Sequence, residues 1–213
     1  MEIVFPEVPF LKIKSYLNEI INDEELKVYI SKKISNSKFK NVSDKQIYFS
    51  RRIGWYAFVR IIKPKIIVET GVDKGMGSVV LVRALQMNEK ENFSGRYFGT
   101  DVNPDAGFLF DDEFRQYGEI LYGDSIKTLE NFSHKIDLFI NDSDHSKVYE
   151  YNEYLAIKNK LSENGIILGD NSNSTDSLLN FSVVENRSFI LFRENPLNHW
   201  YPGAGIGISY SKK

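Results

Sequence analysis

Cysteine is absent from the 213 residues of this chain. The chain therefore has no disulfide, no thiol nucleophile and no thiolate that could bind zinc or an iron–sulfur cluster. A composition without cysteine is typical of a reducing compartment, so we expect a cytoplasmic protein.

An excess of charge and long apolar runs are lacking as well. The 27 basic and 29 acidic residues leave a formal net charge of −2, which gives no overall field that would attract nucleic acid or anionic lipid. No apolar run approaches the ~20 residues that cross a bilayer, and the N-terminus lacks the pattern of a signal peptide. We therefore expect a small-molecule partner, with neither nucleic acid nor a membrane, and leave a homodimer open.

Hydrophobic periodicity divides the chain into a helical beginning and an alternating remainder. Ile47, Ile53 and Phe58 recur near the helical period of 3.6 residues, and no strand pattern precedes Pro64. We predict an N-terminal helical cap over residues 1–63.

Strands and helices alternate over residues 64–213, which we predict to form one α/β domain. Predicted strands are Lys65–Thr70, Arg96–Asp101, Glu119–Gly123, Ile136–Asn141, Gly165–Gly169, Ser188–Glu194 and Gly205–Ser211. Such alternation is typical of a parallel sheet covered by helices on both faces. The predicted fold is a Rossmann-like, doubly wound sheet of seven strands.

A glycine-rich turn follows the first predicted strand, in the run ETGVDKGMGS that begins at Glu69. Gly71, Gly75 and Gly77 allow a ligand to approach the backbone, and the helix that then begins, with Ser78, points free N–H groups at it. The order G-x-x-x-G-x-G differs from the dinucleotide fingerprint G-x-G-x-x-G. It resembles motif I of the class I S-adenosylmethionine-dependent methyltransferases. That resemblance implies S-adenosylmethionine as cofactor, Glu69 near its methionine end, and a last strand that runs antiparallel.

Acidic residues also end the second and third predicted strands. The carboxylate of Asp101 can accept both hydroxyls of a ribose, as it does in the resembling family, and Asp124 and Ser125 would meet the adenine. For each residue taken alone, a helix N-cap is the favoured interpretation. Together with Glu69, the acidic strand ends favour an adenosine-containing cofactor.

The fourth and fifth strands end in Asp142 and in the pair Asp170-Asn171. These oxygen donors suit Mg²⁺, Mn²⁺ or Ca²⁺. The arrangement resembles the cation-dependent O-methyltransferases of the catechol and caffeoyl-CoA type, which bind their metal through an Asp after strand four and an Asp-Asn pair after strand five. That family has a lysine base where this chain has His145, whose imidazole can take a proton near neutrality.

The sequence DSDHS at residues 142–146 is still more similar to a box of a related branch, which includes macrolide-sugar O-methyltransferases and proteins named cephalosporin hydroxylases. We therefore predict a cation-assisted O-methyltransferase in which Asp142 and His145 are catalytic and the acceptor is a sugar, polyketide or catechol-like hydroxyl. One alternative is a non-catalytic subunit that binds S-adenosylmethionine. The other is a metal-dependent hydroxylase, although non-heme iron prefers two histidines and a carboxylate.

Two further groups leave their roles open. Arg51 and Arg52 could hold the cofactor carboxylate or an acidic substrate, but a solvated helix face is the favoured interpretation. His199, Trp200 and Tyr201 precede the last strand, where they could contact an acceptor or pack in the core.

Overall fold

One sheet of seven strands organises the computed structural model, which describes residues 1–41, 46–195 and 203–212. The strands are β1 (Ile66–Thr70), β2 (Arg96–Asp101), β3 (Gly118–Tyr122), β4 (Ile136–Asn141), β5 (Leu161–Gly169), β6 (Arg187–Arg193) and β7 (Gly205–Ser211). Their order is β3-β2-β1-β4-β5-β7-β6, and β7 runs antiparallel to both of its neighbours. The other pairings are parallel. The predicted fold class is confirmed.

Helices cover both faces of this sheet. They are α1 (Phe10–Ile21), α2 (Glu24–Ser35), α3 (Arg52–Ile62), α4 (Met76–Glu89), α5 (Ser125–Asn131), α6 (Lys147–Ile157) and α7 (Ser177–Val184), with a 3₁₀ helix at Asp112–Tyr117. None of the helices in these described ranges is long and apolar enough to cross a bilayer.

Successive strand residues point to opposite faces and so build two apolar layers. Ile67 and Leu138 pack with helices α1 to α4 on one face. Val68 and Phe139 pack with α5 to α7 on the other. The central strands β1 and β4 are thus buried on both faces, and a cavity opens at their carboxyl ends.

The N-terminal helices share the core of the first layer. Ile20 of α1 and Ile30 of α2 are fully buried in the same cluster as Trp55 of α3 and Val79 of α4. The division between a cap at residues 1–63 and a separate domain stays a prediction.

The start of α3 differs from the sequence expectation. The helical period predicted Ile47 inside this helix, but α3 begins only at Arg52. Ser50 has a left-handed backbone with φ of 49°, which a helix cannot contain. Ile47 is nevertheless buried, in a segment that is not helical. This sharp entry into α3 places Arg51 at the beginning of the helix.

Candidate active site

The carboxyl ends of the central parallel strands lie level at one edge of the sheet. Thr70 of β1 pairs with Thr100 of β2 and with Asn141 of β4, which in turn pairs with Gly169 of β5. After β1 the chain continues to β2 and β3 on one side of β1, and it later returns to β4 and β5 on the other side. The loops at these strand ends diverge to the two sides, so a crevice opens between them. The predicted site residues follow these strand ends.

The glycine turn after β1 lies against the loop after β4. Gly71 has φ of +80°, and a β-carbon on it would come within 1.9 Å of the backbone oxygen of Asp142. Gly75, with φ of +90°, precedes the first turn of α4. A side chain is thus excluded at Gly71, where the backbone itself lines the crevice, and the positive φ of Gly75 favours glycine there.

An open cavity of about 640 Å³, here called the cofactor cavity, occupies this edge. Five of the residues predicted to bind cofactor line it: Gly71, Asp101, Asp124, Ser125 and Asp142. The volume is in the range of small-ligand sites. Five residues selected from sequence patterns alone thus line the same cavity.

Asp101 also organises the backbone of this cavity. One carboxylate oxygen accepts the amide of Asp73 at 2.8 Å, and the other accepts the amide of Asn103 at 2.8 Å. Each oxygen retains a further lone pair for a ligand. Asp101 can therefore order the loops after β1 and β2 and still bind a ribose.

At the end of β3, Asp124 is both a helix N-cap and a residue of the cofactor cavity. Asp124 is the N-cap of α5 and accepts the amide of Lys127 at 2.9 Å. The hydroxyls of Ser125 and Tyr149 are 2.9 Å apart, and both residues line the cofactor cavity. Tyr149 was missed from the sequence because α6 brings it to the cavity through tertiary packing, which leaves no local signal.

The other predicted cofactor residues, Glu69, Gly75, Gly77 and Ser78, do not line the cofactor cavity. Glu69 is buried and accepts hydrogen bonds from Tyr97 and, at 3.1 Å, from Ser78. A β-carbon on Gly77 would lie 1.9 Å from Glu69 Oε1 and 2.9 Å from Trp55. Gly77 and Ser78 thus enclose the carboxylate of Glu69, and its place near the methionine end of a cofactor stays a prediction.

Burial sets the chemistry of Glu69. Desolvation raises its pKa to about 7, although the hydrogen bond from Tyr97 acts in the opposite direction. This carboxyl group belongs to the polar interior between β1, β2 and α4, and it supports the glycine turn from behind.

A second buried glutamate, Glu153 of α6, lies beneath the cofactor cavity. Its carboxylate accepts hydrogen bonds from Ser125, from Asn141 and, at 2.7 Å, from Ser143. Desolvation raises the pKa of Glu153, and these hydrogen bonds oppose the shift. Glu153 was not predicted as a site residue, because in the sequence it is only one polar position on a helix. In the structure its hydrogen bonds join the loops after β3 and β4.

The predicted metal ligands come together beside this cavity, in what is here called the acidic cluster. Ligand atoms of Asp142, His145 and Asp170 all lie within 4.8 Å of one another. His145 Nε2 is 3.9 Å from Asp142 Oδ1 and 4.0 Å from Asp170 Oδ2. Asn171, with φ of 52°, places its amide nitrogen 3.0 Å from the same imidazole nitrogen.

The two carboxylates of the acidic cluster repel each other. Burial and then the charge of Asp142 raise the pKa of Asp170 to about 8. Such a pair is stabilised by a cation placed between the carboxylates.

Arg51 supplies a cation to this pair. Its Nη2 donates to both carboxylate oxygens of Asp142, at 3.2 and 3.0 Å. Its Nε is 2.9 Å from Asp170 Oδ1, but the two atoms are not aligned for a hydrogen bond. Arg52 is turned toward the ring of Trp55, with its guanidinium carbon 5.5 Å from the ring centroid. The solvated face that the sequence favoured for these arginines is therefore wrong for Arg51.

A second cavity of about 490 Å³ lies on the other side of Arg51. It is here called the apolar cavity, because its walls include Phe10, Trp55, Ile190 and Ile206 from α1, α3, β6 and β7. Arg51 lines this cavity as well as contacting the acidic cluster. His199, Trp200 and Tyr201, which were predicted near an acceptor, lie outside the described residues.

The donor set of the acidic cluster fits a divalent cation. It offers carboxylate, amide and imidazole atoms, which suit Mg²⁺ or Mn²⁺ better than a thiophilic metal. Asp170 Oδ1 is buried without a hydrogen-bond partner among the described residues. A polar atom in that position is expected to gain a ligand.

Residues 68–172 match the family described as a methyltransferase domain. Over these residues the chain is therefore similar to a methyltransferase. The match spans the strands β1 to β5 and both halves of the site. No curated protein matches the chain.

Solved methyltransferase structures share the whole fold of this domain and its N-terminal helices. The O-methyltransferase from Bacillus cereus, in complex with SAH, is 15% identical with a TM-score of 0.65, covering 93% of this chain and 96% of the other. TomG, an O-methyltransferase from Streptomyces achromogenes in complex with SAM, is 14% identical with a TM-score of 0.63 over 90% and 91%. The SAH-bound methyltransferase PaMTH1 from Podospora anserina is 15% identical with a TM-score of 0.61 over 97% and 98%. The predicted resemblance to class I S-adenosylmethionine-dependent methyltransferases is confirmed.

Proposed function

We propose that this methyltransferase transfers the methyl group of S-adenosylmethionine to a hydroxyl of a small molecule, assisted by a divalent cation. The observation that carries the proposal is the position of Asp142. This residue lines the cofactor cavity and belongs to the acidic cluster, so a methyl donor and an oxygen acceptor can meet at one point.

The cofactor cavity suits the donor. Asp101, Asp124 and Ser125 line this cavity; Asp101 would accept the ribose hydroxyls, and Asp124 and Ser125 would meet the adenine. The methionine end would then extend toward Gly71 and Asp142. The three similar structures named above are described with SAH or SAM bound.

Asp142, Asp170 and Asn171 would hold the cation, with His145 beside them. A divalent cation lowers the pKa of a bound hydroxyl and fixes its direction. Asp142 and Asp170 supply the negative charge for such an ion and are anchored at the ends of β4 and β5, so the acceptor oxygen would be held in front of the methyl donor.

His145 is the proposed general base. Its imidazole takes the hydroxyl proton, a new carbon–oxygen bond forms as the carbon–sulfur bond breaks, and S-adenosylhomocysteine leaves with that electron pair. Asn171 is within 3.0 Å of the imidazole and can fix its orientation. The same closeness to two carboxylates makes His145 able to act as a ligand instead.

The apolar cavity supports one class of acceptor over the others. Its walls are formed mainly by aliphatic and aromatic side chains, and the polar exceptions are Glu2, Ser50, Arg51 and Glu194. A sugar would bury hydroxyl groups there without partners, at a cost in free energy. We therefore propose an acceptor with an apolar body, polyketide or catechol-like, whose hydroxyl reaches the acidic cluster past Arg51.

The test is to incubate the protein with S-adenosylmethionine and Mg²⁺ and to screen catechol, polyketide and sugar acceptors by mass spectrometry. We expect a methylated product from an apolar-bodied acceptor and S-adenosylhomocysteine in equal amount. The Asp170→Asn variant serves as a matched control that keeps the cofactor cavity. Cofactor binding without transfer to any acceptor would favour the non-catalytic subunit, and an oxygenated product would favour the hydroxylase.

A further inference from the structure

Arg51 occupies the oxygens that a cation in the acidic cluster would need. Its guanidinium donates two hydrogen bonds to Asp142 and lies 2.9 Å from Asp170. No other arginine or lysine among the described residues forms an ion pair with either carboxylate.

The contact of Arg51 with the cluster is uneven. The hydrogen bonds to Asp142 have normal lengths, but Nε and Asp170 Oδ1 face each other without hydrogen-bond alignment and both remain buried. A buried donor and acceptor left in this way cost free energy that an ion with freer geometry would recover. The pairing with Asp170 is thus the weaker half of the contact.

Arg51 also borders a cavity that contains another carboxylate. Its side chain lines the apolar cavity, and so does Glu194, a carboxylate outside the acidic cluster. Burial lowers the pKa of Arg51, but the negative charge of Glu194 already acts on the guanidinium, together with Asp142 and Asp170, and raises that pKa. A guanidinium that left Asp142 and Asp170 would therefore have another carboxylate at this cavity.

We propose that Arg51 competes with the divalent cation for Asp142 and Asp170, and that binding of the cation moves the guanidinium toward Glu194. Two positive groups at the same oxygens repel each other, so only one of them is bound at a time. The proposal rests on the cation requirement of the proposed function and adds a residue that sets the affinity for the cation.

Mn²⁺ titration of the full chain tests this competition, with free Mn²⁺ measured by electron paramagnetic resonance. Arg51→Met removes the competing charge and should tighten Mn²⁺ binding about 10-fold or more. The apparent affinity for an ion is proportional to the fraction of the protein that is free to bind it, and the variant raises that fraction. Arg51→Lys, which restores a cation, should return the affinity toward that of the wild type. Arg115→Met, at an exposed site in the 3₁₀ helix, should leave it unchanged, and Asp170→Asn should abolish tight binding.

Unchanged or weaker Mn²⁺ binding by Arg51→Met would overturn the competition while leaving the cation requirement intact. If neither protein binds Mn²⁺ and methyl transfer proceeds in EDTA, the cation part of the proposed function fails and the competition fails with it. Far-ultraviolet circular dichroism and S-adenosylmethionine affinity check that the Arg51→Met protein is folded. Arg51→Gln provides a polar second variant with the same expected tightening.

Discussion

Asp142 contacts three different parts of the site. Its backbone lies against Gly71, its side chain accepts hydrogen bonds from Arg51, and it lines the cofactor cavity. A substitution at this residue would disturb donor and acceptor binding together. Asp101, Asp170 and His145 each act on one part and are better probes.

Asp101→Ala should weaken S-adenosylmethionine binding by ~10- to 100-fold, the loss expected for one or two charged hydrogen bonds. Isothermal titration calorimetry measures the dissociation constant. Asp105→Ala, an exposed aspartate of the same loop, is the matched control. Asp101→Asn keeps an acceptor for only one of the two loop amides, so we expect a smaller loss in that variant than in Asp101→Ala. An unchanged constant in Asp101→Ala would remove the residue from the site.

Asp170→Ala should abolish methyl transfer while cofactor affinity stays within about twofold, because Asp170 serves the acceptor side of the site. EDTA should have the same effect on the wild-type protein, and Mg²⁺ should reverse it. Steady-state rates and calorimetry on the same samples separate the two properties. Full activity in EDTA would contradict the cation requirement.

His145→Ala should lose roughly 10²- to 10⁴-fold in kcat, the usual contribution of a positioned base. The Mn²⁺ affinity of the same variant distinguishes a base from a metal ligand, since removal of a base does not weaken binding of the ion. A loss of Mn²⁺ binding in parallel with kcat would reassign His145 as a ligand. A wild-type rate would make it a loop residue without a chemical role.

Side chains next to a recognisable strand end were predictable, and those delivered by distant packing were not. Asp101, Asp142 and Asp170 each follow an apolar run, so the edge of the sheet brings them together by topology alone. Arg51 and Glu153 reach the site from helices whose surface and core positions look alike in the sequence. Their roles depend on which side chains they face in the folded chain.

At the scale of elements, local patterns located the strands well where pairing is regular. The predicted bounds of β2, β4 and β7 agree with the structure. Strand β5 begins at Leu161, four residues before its predicted start, because an irregular register opposite β4 lets the turn-like pair Asn164-Gly165 remain within the strand. A bulge of this kind needs a partner strand and leaves little trace in a single sequence.

Glu69 connects β1 to β2 and α4, and its buried carboxyl makes the free energy of unfolding depend on pH. In the unfolded chain a glutamate titrates near 4.5, but in the folded state the pKa is about 7. Between these values the folded state keeps a proton that the unfolded state has lost, so stability falls as pH rises. The loss should total about 3 kcal/mol.

Urea unfolding at several pH values between 4.5 and 7 measures this effect. Glu69→Gln keeps a hydrogen-bond acceptor for Tyr97 and Ser78 but cannot ionise, so its stability should fall less steeply over that range. The higher pKa of Asp170 adds a slope of the same sign in both proteins, and the difference between them isolates Glu69. Parallel profiles would mean that Glu69 keeps an ordinary pKa.

At the scale of the whole molecule, the two cavities are built from different spans of sequence. The cofactor cavity is lined by residues 71–149, a continuous stretch of alternating strands and helices. The apolar cavity combines residues of α1, α3, β6 and β7, which are far apart in the sequence. The sequence predicted the first from motifs and could not predict the second.

The insertion of β7 between β5 and β6 has a consequence for the order of folding. Contacts within residues 66–169 can form while β7 is still unpaired, whereas the walls of the apolar cavity close only after loops of high sequence separation are ordered. We expect amides of β1 and β4 to gain hydrogen-exchange protection earlier during refolding than those of β7, as measured by pulse labelling and mass spectrometry. A nascent or partly unfolded chain would then hold the methyl donor before it can select an acceptor.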